Sequence, residues 1–241
     1  MRTRHLRVLQ VSTMERTGGA ALSAWYLHQA YRQRGLKSWM AVGRKETDDP
    51  DVFEVPNDAR RGAWARSWLR LGRALSPVER HLPRALHLSR PLAVLAEPSR
   101  HRDIGLGRED FCYPGSRDIL ALAPEKPDIV NCHNLHGGYF DLTGLPRLSA
   151  EAPVVLSLRD EWLLTGHCAM AVDCGRWETG CGSCPDLTLY PAIRRDATAF
   201  NWRRKQQLYA ATRVWVITPS RWLMDRVGRS MLAAAVIDGR V

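Results

Sequence analysis

The apolar positions change period twice between Leu6 and Val42. Leu6, Val8, Leu9 and Val11 form a short strand-like run, Leu22, Trp25, Tyr26, Ala30 and Tyr31 recur at helical spacing over Ala21 to Arg34, and Lys37 to Val42 is strand-like again. Thr17-Gly18-Gly19-Ala20 occupies the first change and Gly35 the second, where glycine stops a helix. Strand, glycine turn, helix and strand make a βαβ opening and predict a parallel sheet. Residues 44–58 are acidic and contain proline, which predicts a loop.

From 59 to 102 the chain becomes rich in arginine and leucine. Trp64, Trp68, Leu71 and Leu75 fall at i, i+4, i+7 and i+11, one stripe of a helix, with Arg61, Arg66, Arg70 and Arg73 on other faces. Two arrangements satisfy that pattern: a helix packed on the domain with solvated arginines, or an amphipathic helix over 59–75 lying on an anionic membrane surface. Regular patterning returns after Gly115. The sequence predicts a short helix over Ser116 to Leu122, a strand over Asp128 to Cys132, and a turn at His133 to Gly138 leading into a helix that ends near Ser149. Pro153 to Leu158 reads as a strand, Arg194 to Ala211 as a helix and Arg213 to Ile217 as a strand. Ser220 is an N-cap, and Ala235 to Val241 begins one more strand.

Composition bounds the possibilities. The 241 residues are 45% hydrophobic and 25% charged, enough for one sizeable core and unlike a disordered chain. No apolar run approaches the roughly 20 residues that span a bilayer, and the basic N-terminus lacks a continuous apolar stretch and cleavage site, so a cytoplasmic location is expected, with peripheral contact at the inner membrane face if helix 59–75 binds lipid. A net charge of +10 and a pI near 9.8 attract anions: nucleic acid, acidic membrane or phosphorylated small molecules. Charge alone does not choose among them.

Four of the six cysteines lie in one segment, 159–191. Cys168-x5-Cys174-x6-Cys181-x2-Cys184 ends in a Cys-Gly-Ser-Cys knuckle, a way to supply two thiolates of a tetrahedral zinc from one turn. A structural zinc on these four, with His167 as a substitute ligand, is expected; free thiols in a packed loop or two disulfides are the alternatives. Such a closed site has no catalytic role. The remaining candidates sit at predicted strand ends, where open α/β sheets bind ligands: Gly18 and Gly19 after the first strand, His133 and His136 after the strand at 128–132, and Arg159 and Asp160 after the next. Two glycines before a helix N-terminus let a phosphate approach the backbone, and histidine or carboxylate at a strand end suits acid/base work or substrate orientation.

The segments Gly107-Arg-Glu-Asp-Phe-Cys-Tyr-Pro-Gly-Ser116, Cys132-His-Asn-Leu-His-Gly-Gly-Tyr-Phe-Asp141, Arg159-Asp-Glu-Trp-Leu-Leu-Thr-Gly-His-Cys168, Gly180-Cys-Gly-Ser-Cys-Pro185, Thr198-Ala-Phe-Asn-Trp-Arg-Arg-Lys205 and Ile217-Thr-Pro-Ser-Arg-Trp222 occur in the order found in family 4 glycosyltransferases. The chain resembles the N-terminal, acceptor-side domain of that family, in the group of colanic-acid and exopolysaccharide enzymes. The resemblance implies a Rossmann-like parallel sheet flanked by helices, one half of a GT-B fold, with the Cys-rich loop inserted. It implies retaining transfer of a sugar from a nucleotide-sugar to a glycan or lipid-linked acceptor, with no catalytic metal. It places Gly18 and Gly19 near the donor diphosphate and His133, Asn134 and His136 on the acceptor side. Arg159 and Asp160 fall where many relatives carry a His-Asp pair, so His133, Arg159 and Asp160 are the candidate catalytic residues. Arginine in the histidine position cannot shuttle protons.

On the same resemblance residues 1–235 form the acceptor-side domain and 236–241 begin an interdomain crossover. The donor-binding half would then be supplied elsewhere, for example as a separately encoded partner. Glu46 and Glu54 have the Glu-x7-Glu spacing of that half but lie in the loop after the second strand. The competing expectation is a non-catalytic, basic, zinc-containing protein binding nucleic acid or a membrane; no nucleic-acid motif supports the first of these.

Overall fold

A computed structural model describes residues 6–79 and 89–241. Seven strands form one parallel sheet: β1 (Arg7–Met14), β2 (Lys37–Arg44), β3 (Val52–Glu54), β4 (Ile129–His133), β5 (Val154–Ser157), β6 (Val214–Ile217) and β7 (Val236–Arg240). Their spatial order is β3-β2-β1-β4-β5-β6-β7, so the chain winds one way from β1 and then the other from β4. That is the Rossmann-like arrangement expected from the βαβ opening. The order reverses between β1 and β4, and ligands of such sheets bind beyond the carboxyl ends of the strands at that crevice.

The register decides which side chains share a face. Leu9 lies opposite Trp39 and Val130, Val130 opposite Val154, and Leu156 opposite Val216. All belong to the principal core, which also takes Leu145 and Leu148 of α5 (Leu145–Glu151), Trp202 and Tyr209 of α6 (Thr198–Ala210), and Leu223 and Val227 of α7 (Arg221–Arg229). The opposite face is smaller and more polar. There α1 (Gly19–Gln33) sets Ala24 on Met40, Val42 and Val52, and His28 Nδ1 meets Ser38 Oγ at 2.9 Å. Further along this face Trp215 and Ile217 of β6 remain exposed.

Three local expectations change. The acidic loop at 44–58 contains the edge strand β3, which needs only Val52 buried and so leaves little apolar signal. The turn after β4 does not run into a helix, because Asn134, Gly137 and Gly138 take positive φ; α5 begins at Leu145, after Asp141 accepts the Thr143 amide. The helix expected from Arg194 starts at Thr198, where Asp196 accepts both the Thr198 amide and hydroxyl. Residues 59–102 form α2 (Ala63–Glu79), α3 (Ser89–Ala96) and most of α4 (Pro98–Gly105). Part of that expectation, 80–88, lies outside the described residues. Among the described residues no helix is long and apolar enough to cross a membrane.

Candidate functional site

Beyond the carboxyl end of β4 the chain makes a tight excursion that carries His136. Thr13 of β1 donates its hydroxyl to the carbonyls of Asn134 (3.0 Å) and His136 (2.9 Å), fixing this turn across the β1–β4 crevice. Gly137 is required beside it: φ is +98°, and a Cβ there would lie 2.6 Å from Thr13 Cγ2. The His136 ring is held by three neighbours. Its Nε2 lies 2.9 Å from Asp160 Oδ2, and its ring centroid is 5.5 Å from Trp162 and 5.6 Å from Tyr190. Asp160 is fixed in turn, since Oδ1 accepts the Trp162 amide at 2.9 Å. A proton on Nε2 facing the carboxylate leaves Nδ1 as the acceptor, and Nδ1 is buried without a partner. The ring thus has one nitrogen on a fixed carboxylate and one buried nitrogen without a partner.

His136 lines a cavity of about 320 Å³ together with Tyr113, Phe140, Trp162, Tyr190 and Glu109. Aromatic walls with a few polar groups suit a ring-shaped polar ligand, whose C–H faces stack while its hydroxyls find acceptors. One half-buried and one buried ion pair flank the cavity. Asp110 accepts from Arg100 (2.6 Å) and the Tyr113 hydroxyl (2.6 Å). Burial would raise the Asp110 carboxyl, but those hydrogen bonds outweigh it and hold it below its ordinary value. Deeper, Lys205 is fully buried and donates to Glu109 Oε1 (2.7 Å) and to the carbonyls of Trp162 (2.7 Å) and Thr165 (3.1 Å). Its ammonium also lies 3.8 Å from the Trp162 ring centroid. Burial pushes Glu109 up and Lys205 down, while the pairing opposes both shifts.

The structure sorts the sequence candidates. His136 and Asp160 meet and His136 lines the cavity. His133 does not: it is 1% exposed, its Nε2 at 2.9 Å from Gln10 Oε1, in a cross-strand network where Asn131 donates to Gln10 (3.0 Å) and Ser157 donates to Asn131 (2.7 Å). Burial, helped by the charge of Arg159, lowers its pKa to about 4. Arg159 is exposed, and Asn134 and the exposed Gly18 and Gly19 lie outside the cavity lining.

The loop before α1 is engaged by protein. Glu46 accepts the amides of Arg16 (2.8 Å) and Thr17 (3.0 Å) and the Thr17 hydroxyl (2.6 Å). Reciprocally, buried Glu15 accepts the amides of Glu46 (2.6 Å) and Thr47 (2.8 Å) and the Thr47 hydroxyl. Sequence reasoning missed Glu109 and Lys205 as a buried pair. The available signal was Lys205 on the same α6 stripe as the buried residues Thr198, Asn201, Trp202 and Tyr209.

Between β5 and α6 the chain has only the 3-10 turns Trp162–Leu164 and Arg176–Glu178. Cys168, Cys174, Cys181 and Cys184 converge there with His167 around one cavity of about 20 Å³. Among the described residues no group of three or more His, Cys, Asp or Glu is placed to hold a metal ion, so the structure does not support the four-thiolate zinc centre expected from the spacing. Cys168, Cys174 and Cys181 share one small cluster, and the sulfurs also meet protein groups. Cys184 Sγ lies 3.4 Å from both His167 Nε2 and the Asp186 carbonyl, Cys181 Sγ accepts the Gly166 amide at 3.3 Å, and Cys168 packs with Ala171 and Trp177. None of the six cysteines is in a disulfide, which sets aside the two-disulfide alternative.

Fold and site together define a doubly wound α/β domain with an aromatic cavity that holds a His–Asp pair at the carboxyl edge of its sheet, and its sequence is similar to that of an exopolysaccharide-type glycosyltransferase. One similar protein is the "Putative colanic acid biosynthesis glycosyl transferase WcaC" of Escherichia coli (strain K12); the two are 26% identical over 230 residues, 91% of this chain and 50% of WcaC. The chain thus spans about half the length of that relative. No protein-family model matches it.

Proposed function

We propose that this chain is the acceptor-side half of a GT-B, family 4-like glycosyltransferase of polysaccharide biosynthesis. It takes a sugar from a nucleotide-sugar to a glycan or lipid-linked acceptor, with retention and without a catalytic metal, and acts with a donor-binding half. The observation that carries this is the His136–Asp160 pair in an aromatic cavity at the switch point of the sheet; the likeness to WcaC supports it. In this reading an acceptor hydroxyl gives its proton to His136, and its oxygen bonds to the anomeric carbon on the same face that the nucleoside diphosphate leaves, which keeps the configuration. Asp160 is the positioning residue that keeps the proton on Nε2. Arg159, exposed beside His133, is assigned to contact with the donor's phosphates rather than to proton transfer.

The test is transfer of labelled sugar from a panel of nucleotide-sugars to lipid-linked oligosaccharide, with the chain alone and with a co-expressed donor-binding domain. His136→Asn should lower the rate about 10²-fold or more while leaving the circular dichroism spectrum intact. Equal activity of wild type and His136→Asn would refute the assignment of the base.

A further inference from the structure

The Trp- and Leu-bearing stripe of α2 is not absorbed into the domain core. α2 packs on α3, closely enough that a Cβ on Gly72 would stand 3.6 Å from the Ser89 carbonyl oxygen. Trp64 makes an edge contact with Trp68 (5.5 Å) and donates its indole N–H to the Leu95 carbonyl at 3.0 Å, so its one polar group is already satisfied. Trp64 is nonetheless 63% exposed, with Leu71 at 46%, Val94 at 45% and Leu95 at 51%. Four large apolar side chains of one helix pair thus face outward, which isolated surface residues do not explain.

Charge identifies the occupant. Between residues 59 and 96 the sequence holds eight arginines and a single acidic residue, Glu79. Arg70 and Arg90 are exposed on the two helices. Arg60, Arg61 and Arg73 pair with Asp118, Asp58 and Glu97; tryptophan and aliphatic residues flanked by the exposed Arg70 and Arg90 match a surface that sinks its apolar edge into the headgroup boundary while its cations meet anionic lipid.

We propose that the α2–α3 hairpin docks this domain onto an anionic lipid bilayer. The hairpin is rigidly joined to the cavity through ion pairs. Arg61, just before α2, pairs with Glu97 and donates to the Cys112 carbonyl at 3.1 Å. Glu97 also holds Arg100 at 2.7 Å, and Arg100 holds Asp110 of the cavity wall at 2.6 Å. Docking therefore fixes the cavity relative to the bilayer. On the transferase reading this presents the cavity to an acceptor carried by lipid, but the docking itself does not depend on that reading.

The experiment is co-sedimentation of the full chain with vesicles of equal parts phosphatidylglycerol and phosphatidylcholine, against vesicles of phosphatidylcholine alone. Binding to the anionic vesicles is expected, falling at least about tenfold in Trp64→Glu/Leu71→Glu and in Arg70→Glu/Arg90→Glu. All four positions are exposed, and an unchanged circular dichroism spectrum verifies folding of each variant. Absence of binding to the anionic vesicles overturns the proposal. So does equal binding of Trp64→Glu/Leu71→Glu and wild type, which would leave only the general excess of positive charge. Self-association abolished by Trp64→Glu/Leu71→Glu, with no vesicle binding, would overturn it in favour of a second copy of the chain on this face.

Discussion

Replacing Lys205 with methionine tests whether the buried pair supports the cavity wall. Methionine keeps the aliphatic stem and removes the ammonium, leaving Glu109 Oε1 and the carbonyls of Trp162 and Thr165 without their shared donor. Each orphaned buried acceptor costs about 1–3 kcal/mol, and removing one partner of a buried pair costs about 3–5 kcal/mol in all. We take about 4 kcal/mol, a large share of the roughly 5–15 kcal/mol that stabilises a domain. At about 2–4 °C per kcal/mol for a chain of this size, the melting temperature should fall by about 10 °C. Urea denaturation followed by circular dichroism and tryptophan fluorescence gives the difference directly.

The same variant makes a pH prediction. Burial already raises Glu109 above the ordinary carboxylate value of 4.5, and loss of Lys205 removes an influence that lowers it. A carboxyl with a raised folded pKa favours the folded state while protonated, and that contribution is lost as pH rises above the unfolded value. The deficit of Lys205→Met should therefore shrink below about pH 4.5, and Glu109→Gln/Lys205→Met should recover part of it at pH 7. A Lys205→Met protein within about 1 kcal/mol of wild type, or a double variant no more stable than the single, would refute the reasoning.

Other perturbations have defined outcomes. His28 and His133 are both buried with pKa values lowered to about 4, by burial first. A depressed histidine contributes stability above its unfolded pKa that is lost as pH falls, so the stability should decline by about 3 kcal/mol for each between pH 6.5 and 4, measurable by urea titrations across that window. In a ring-proton NMR titration His133 should stay neutral through pH 6. Gly137→Ala should cost about 1–3 kcal/mol and displace the His136 turn, read from denaturation midpoints and the His136 ring shifts. Asp160→Asn should reduce sugar transfer about 10²-fold or more without changing the fold, whereas Asn134→Gly, which accepts the positive φ of that turn, should leave the rate nearly intact.

The parallel sheet was legible because β1, β2, β4 and β5 are buried on both faces and so read as apolar runs between glycine and proline punctuation. The edge strand β3 was illegible for the opposite reason: with Val52 as its buried residue it carries no period. His133 and His136 looked equivalent in sequence, three residues apart at one strand end. The strand places His133 inside the polar network, and the positive-φ turn lifts His136 into the cavity, a distinction that depends on backbone geometry. Tyr190 reaches His136 across 54 positions of chain, and Lys205 reaches Glu109 across 96. Local spacing carries no trace of such contacts. The cysteines show a further limit, since their spacing brought them to one cavity without fixing where each sulfur turns.

The reciprocal carboxylates Glu15 and Glu46 make the turn before α1 its own ligand. The amides of Arg16 and Thr17, which would greet an incoming phosphate, are already spent on Glu46, and the Thr17 hydroxyl and Arg16 amide hold that carboxyl below its ordinary pKa. Binding of an anion at these amides is thus an exchange: one acceptor leaves as another arrives, and the net gain is only the difference between them. A singly charged carboxylate gains almost nothing over the resident, whereas a group with more charge and more oxygens can evict it. Eviction would also unfasten the β2–β3 loop on which Glu46 sits, so occupancy of the first turn and freedom of the second become one event.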